Sequence, residues 1–163
     1  MFVTIKLKLP YDKVLLETGE KFKEACQMFL DYGFPVHTIN KNKLNRATCK
    51  DIRKAIPTLP SALVRTARDT ASESLKQTKL EREIQKRSLT IRYGRRTFKF
   101  YPDSHTVSLT IVSGGLVFPV AHTPVIEKYR GEYANGQVFI DKMHGKMFIM
   151  IQVELPDKEV EKR

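Results

Sequence analysis

The sequence predicts an α+β protein: a small antiparallel β-barrel or curled sheet carrying a helical insertion after its first strand. Three observations predict this. Phe2 to Leu9 alternates strictly, with Val3, Ile5, Leu7 and Leu9 on one face and Thr4, Lys6 and Lys8 on the other, the period of a half-buried strand. Residues 11–87 then follow mostly helical spacing. From Leu89 the period returns to two and stays there to Leu155, giving seven short strands, one N-terminal and six C-terminal. The predicted units are a barrel from 1–10 and 88–156, a helical block from 11–87 and a mobile tail from 157–163.

In chain order, Pro10 stops the first strand and Asp12 is placed to cap a helix. Phe22, Ala25, Cys26, Phe29 and Leu30 fall at i, i+3, i+4, i+7 and i+8 of that helix, and Gly33 reads as its stop. Phe34 to Leu44 reads as a connector, where His37 stands without a second ligand at helical spacing. Thr48 with Asp51 three residues on has the form of a capping box, opening a short helix that must end before Pro57. Pro60 and Ser61 open the next helix, which meets no Gly or Pro until Gly94. Its apolar line is Val64, Ala67, Ala71 and Leu75, while Arg65, Arg68, Lys76, Lys79 and Lys86 follow the helical period on a neighbouring face.

Leu89 to Tyr93 and Thr97 to Tyr101 flank Gly94 and read as a basic hairpin decorated by Arg92, Arg95, Arg96 and Lys99. Val107 to Ile111 and Leu116 to Val120 are strands joined at Ser113-Gly114-Gly115, and Thr123-Pro124 opens a single helical segment. Asn135-Gly136 is a two-residue hairpin signal and His144-Gly145 a second turn. Met147 to Leu155 is apolar at Met147, Ile149, Ile151 and Val153 and again at Phe148 and Met150, so it reads as a central strand covered on both faces.

The net charge of +11 is not spread evenly. Residues 1–40 carry five Lys and five acids; residues 41–100 carry seventeen Lys plus Arg and five acids, net +12; residues 101–163 carry seven and eight. A solubility charge would be dispersed, whereas a segment this polarised is the footprint of a polyphosphate partner. The other reading, a solvated, salt-bridge-laced face with charges at helical spacings such as the like-charged Asp69 to Glu73 and the oppositely charged Lys79 to Glu83, would tune stability by only a few tenths of a kcal/mol. No window approaches the ~18 apolar residues of a membrane span. The N-terminus lacks a signal-peptide core, so the chain reads as cytoplasmic.

Little points to catalysis. Cys26 and Cys49, the two cysteines, sit in helical patterns without a C-x-x-C partner and read as reduced core thiols. The acids are scattered, no Gly-rich phosphate loop is present, and no Ser, Cys or Thr has an evident base. Asp103, His105 and Glu132 are the only residues that could be nominated for an unrecognised nuclease or transferase site. A third possibility is an assembly subunit whose basic surface meets an acidic protein. No cofactor, metal or small-molecule substrate is implied.

The order of features, an N-terminal strand, a helical block containing LPSALVRTARDTASESLK, a basic hairpin and a β run ending in MFIMIQVELP, resembles the N-terminal half of the TnpB (OrfB) proteins of insertion sequences. These are RNA-guided nucleases related to compact type V CRISPR effectors. The resemblance spans about Val3 to Pro156 and implies an OB-like wedge barrel with a helical recognition insertion, binding a structured guide RNA and a target DNA duplex. That family's RNase-H-like domain begins with a D-x-G motif soon after the last wedge strand; none follows the last strand here, so the resemblance implies binding without cutting. The residues expected to carry binding are Arg53, Lys54, Arg65, Arg68, Lys76, Lys79, Lys86 and Arg87 in the helical block, and Arg92, Arg95, Arg96 and Lys99 at the hairpin. Such contacts position a partner while base pairing supplies specificity.

Overall fold

The computed structural model describes residues 1–112 and 114–156, and the tail expected to be mobile lies outside them. The chain is α+β. Its elements are β1 (Phe2–Leu9), α1 (Lys13–Val36), α2 (Lys41–Ala55), α3 (Ser61–Gln77), β2 (Leu89–Tyr93), β3 (Phe98–Tyr101), β4 (Thr106–Ile111), β5 (Gly114–Pro119), α4 (Pro124–Lys128), β6 (Glu132–Asp141) and β7 (Lys146–Glu154).

The strands form two antiparallel sheets, a four-stranded one in the order β1-β7-β6-β2 and a three-stranded one in the order β3-β4-β5. Neither is closed into a barrel. The reason lies at Gly94 to Thr97, where the expected hairpin is instead a crossing between sheets: β2 pairs with β6, β3 pairs with β4, and the turn is closed by Thr97 N–H donating to the Gly94 carbonyl at 3.0 Å and by Gly94 N–H donating to the Thr97 hydroxyl oxygen at 2.8 Å. The sheets are joined by side chains rather than by a ladder. The buried Tyr93 hydroxyl donates to the Thr110 carbonyl at 2.8 Å, and Phe98 packs its ring against Tyr133 at 5.2 Å between centroids.

Asn135-Gly136 is not a turn. β6 runs through it with a bulge between Tyr133 and Gly136, and a side chain at Gly136 would meet the Phe98 ring at 3.0 Å. The glycine is there for space. His144-Gly145 does turn the chain, with Gly145 at φ 61, from β6 into β7. β7 is central in its sheet, but only its Met147, Ile149, Ile151 and Val153 face is buried; Phe148, Met150 and Gln152 are half-exposed. The expected second cover is absent among the described residues.

α1 begins as the sequence predicts: Asp12 Oδ1 accepts from Val14 N–H at 2.8 Å and Leu15 N–H at 2.9 Å. It does not end at Gly33. It runs on through Pro35 to Val36, and His37 adopts the left-handed conformation, φ 60, that closes it. Thr38 N–H bonds back to the Gly33 carbonyl and His37 N–H to that of Phe34, the Schellman pattern with histidine where glycine is usual. Gly33 is instead buried where three helices converge, its hydrogen pointing at Leu75 of α3 and Leu44 of α2.

α2 starts earlier than Thr48. Asn40 is its cap, accepting from Lys43 N–H at 3.0 Å, and the connector expected over 34–44 is largely helix. Thr48 lies buried in the middle of α2, packed inward rather than capping. α3 ends at Gln77, well short of Arg87. Thr78 bonds its hydroxyl to the Ser74 and Leu75 carbonyls, and Lys79 and Leu80 take φ 55 and 58. The chain then turns back along α1, where the Gln27 side chain donates to the Ile84 carbonyl and accepts from Lys86 N–H at 2.7 Å. Residues 79–83 are good helix formers, but partial burial of Leu80 and Ile84 against the core overrides that weak preference. A single cluster of buried residues spans α1, α2, α3 and both sheets.

Candidate nucleic-acid interface

The basic residues expected to bind from the helical block, Arg53 and Lys54 on the short helix and Arg65 to Arg87 on the longer one, fall into three groups. Arg53 and Lys54 occupy the last turn of α2, where cations oppose the helix dipole, and both are exposed. A five-residue loop leads to α3 and to Arg65, also exposed, so these three lie toward the connected end of the α2–α3 pair. Lys76 is exposed in the last turn of α3. None of the four makes an ion pair with another described residue.

Arg68 differs. Its Nε and Nη2 donate to Asp69 Oδ1 at 3.2 and 3.0 Å, and its side chain is only 16% exposed. Lys41 approaches the same carboxylate at 3.6 Å, tying the start of α2 to the middle of α3. Arg68 is therefore committed to structure.

Lys79, Lys86 and Arg87 lie beyond α3. Lys79 and Arg87 are exposed in the irregular segment, off the helical face expected for them. Lys86 points inward: its ammonium donates to Ser88 at 2.7 Å and Thr90 at 3.1 Å, and burial pulls its pKa below the ordinary lysine value, with the nearby Cys26 thiol acting the other way and Lys23 adding to the decrease. It is a poor candidate for contact with a partner.

At the crossing between sheets, Arg95 and Arg96 project from the turn and Lys99 from the outer face of β3, all three exposed. Arg92 is on the open face of β2, 2.9 Å from Glu73 of α3. That pair edges a cleft of about 400 Å³ between α3 and the sheet, lined also by Gln137, Met150, Gln152 and Asn135. The sequence reading missed this cleft and its amides, because nothing local says that β2, β6 and β7 lie side by side.

The three residues nominated for catalysis each make a different contact. Asp103 is held by Arg130 at 2.6 Å, which also holds Glu127. His105 Nε2 lies 3.2 Å from His122 Nδ1. Glu132 starts β6, in a cleft with Arg95. Among the described residues no three His, Cys, Asp or Glu side chains are grouped to hold a metal ion, and no helix is long and apolar enough to cross a membrane. Cys26 and Cys49 are free thiols; burial pushes Cys26 up to about 12, only weakly opposed by Lys86. No family model and no curated protein sequence matches the chain.

Proposed function

We propose that this chain is a nucleic-acid-binding module, of the kind that forms the wedge and recognition half of a TnpB-like RNA-guided protein, and that it binds without cutting. The observation that carries the reading is the segregation of charge: residues 41–100 hold a net +12 while the remainder is close to neutral. Nine of the twelve expected contact residues (Arg53, Lys54, Arg65, Lys76, Lys79, Arg87, Arg95, Arg96 and Lys99) are exposed and make no ion pair with a described residue, which supports it. Cations left unneutralised on a folded surface release counterions from a phosphate backbone when they bind it.

The placement of the helical block supports the TnpB-like form of the proposal. The chain leaves the four-stranded sheet after β1, builds three helices, and re-enters the same sheet at β2, while β1 pairs with β7 at the other end of the chain. In this reading Arg53, Lys54 and Arg65 meet a target DNA duplex, and Arg95, Arg96 and Lys99 meet guide RNA. The guide RNA is assigned to the crossing between the two sheets because Arg95, Arg96 and Lys99 are exposed together there.

Fluorescence anisotropy with duplex DNA and with a structured RNA over a range of salt tests this. Affinity should fall with a log–log slope of about −0.9 per phosphate neutralised on duplex DNA and about −0.7 on single strands. A flat salt response, or no binding to either, would overturn it.

A further inference from the structure

The open face of the four-stranded sheet carries what the basic segment does not. A sheet with one face on the core normally presents polar residues on the other. Here that outer face holds Phe139 and Phe148, directly paired across β6 and β7, with ring centroids 5.3 Å apart and planes 15° from parallel. Both rings are half-exposed. The Lys6 ammonium stands 4.1 Å from the Phe148 centroid, and Lys8, paired with Phe148 in the ladder, and Lys146 border the same ring. All three lysines are exposed and make no ion pair with a described residue.

Going from Phe148 along β7 toward its C-terminal end, the face changes character. Met150 and Gln152 follow, Gln137 stands beside Met150 on β6, and Arg92 beside Gln137 on β2, leading into the cleft under α3. Successive outward residues on a strand are about 6.8 Å apart, comparable to the spacing of bases in an extended single strand. Charge favours an anion: three free lysines against Asp141, which is held ionised by the His144 ring and backbone N–H, with Arg92 and Glu73 offsetting each other.

We infer that this sheet face is a stacking platform for an extended single-stranded segment of nucleic acid, with bases on Phe139 and Phe148, phosphates on Lys6, Lys8 and Lys146, and a base edge read by Gln137 and Gln152 in the adjoining cleft. Aromatic faces accept every base, and amides at one end of the track supply donors and acceptors for an edge. Cross-strand packing of two rings accounts for their pairing but not for three lysines gathered round them against the one carboxylate of Asp141. The inference shares its ligand class with the function proposed above, but it uses a different surface.

The test is anisotropy with labelled oligonucleotides of about ten nucleotides, RNA and DNA, beside a duplex of similar charge. The F139L/F148L double variant retains apolar bulk but removes the ring faces; it should bind single strands ~10-fold or more weakly while duplex affinity stays within about 2-fold. Lys6→Gln with Lys8→Gln, at exposed positions, should lower the single-strand salt slope by about 1.4. Whichever of the RNA and DNA arms binds more tightly identifies the strand.

Single-strand affinity unchanged in a double variant that melts cooperatively would overturn the platform, as would displacement of the RNA by polyglutamate as readily as by unlabelled RNA. If the protein binds duplex but no short single strand, this inference falls and the basic-segment reading stands. If it binds neither, both fall.

Discussion

The ammonium of Lys6 on β1 lies 4.1 Å from the centre of the Phe148 ring on β7, although 142 positions separate them in the chain. The contact follows from the ladder, which sets Lys6 opposite Met150 and Lys8 opposite Phe148, so that Lys6 reaches diagonally to the ring. An exposed cation over an aromatic face is worth about 0.5–1 kcal/mol. A double-mutant cycle of Lys6→Met and Phe148→Leu in urea should return a coupling energy in that range. A coupling indistinguishable from zero would show that the ammonium and ring are independent in solution.

His37 holds φ 60 at the end of α1, a conformation that costs a non-glycine residue about 1 kcal/mol. His37→Gly should therefore raise stability by about 0.5–1 kcal/mol, measured by chemical denaturation. Lower stability in that variant would mean that the histidine ring makes a contribution larger than the backbone strain.

Gly136 gives space to Phe98, with the ring as near as 3.0 Å to where a side chain would begin. Gly136→Ala should destabilise by about 1–3 kcal/mol, whereas Asn135→Ala on the exposed side of the bulge should stay within about 0.5 kcal/mol. Were the pair a two-residue turn, both substitutions would cost comparably.

Burial raises the Cys26 thiol to about 12 from an ordinary value of 9.0. The unfolded chain therefore loses this proton first as pH rises, so the stabilisation is complete below about pH 9 and is lost between there and about pH 12. Tyr93, also pushed up by burial, acts in the same direction, while Lys86, pulled down, opposes both. The urea midpoint should fall as pH rises from about 8 to 10, and Cys26→Ser should flatten that decline. An equal decline in Cys26→Ser would assign it to other groups.

Arg65 and Arg68 are one helical turn apart but have different work. Arg68→Gln leaves Asp69 with only Lys41 at 3.6 Å and should cost about 1 kcal/mol of stability with little change in nucleic-acid affinity. Arg65→Gln should leave stability within about 0.5 kcal/mol and lower both duplex affinity and the salt slope. The reverse pattern would exchange their roles.

Much of the local structure is legible because local chemistry sets it. The alternation from Phe2 to Leu9, the Asp12 cap, the Thr123-Pro124 start of α4 and the His144-Gly145 turn each depend on residues within a few positions of one another. The ends of α1 and α3 were not legible. Gly33 resembles a stop but serves helix packing, and nothing between Lys79 and Arg87 breaks a helix except the pull of Leu80 and Ile84 onto the core.

For the candidate interface the division is similar. The sequence alone determined where the positive charge lies, because charge is a property of composition and survives any fold. It also determined that strands flank a helical block, since hydrophobic period reports element type. Only the tertiary structure decided which cations are free and which are held: Arg68 by Asp69, Arg92 by Glu73, Lys86 turned inward. Only it placed β2 and β3 in different sheets and brought Lys6, Phe139 and Phe148 onto one open face, because strand order and register are set by long-range pairing and core packing that no local pattern encodes.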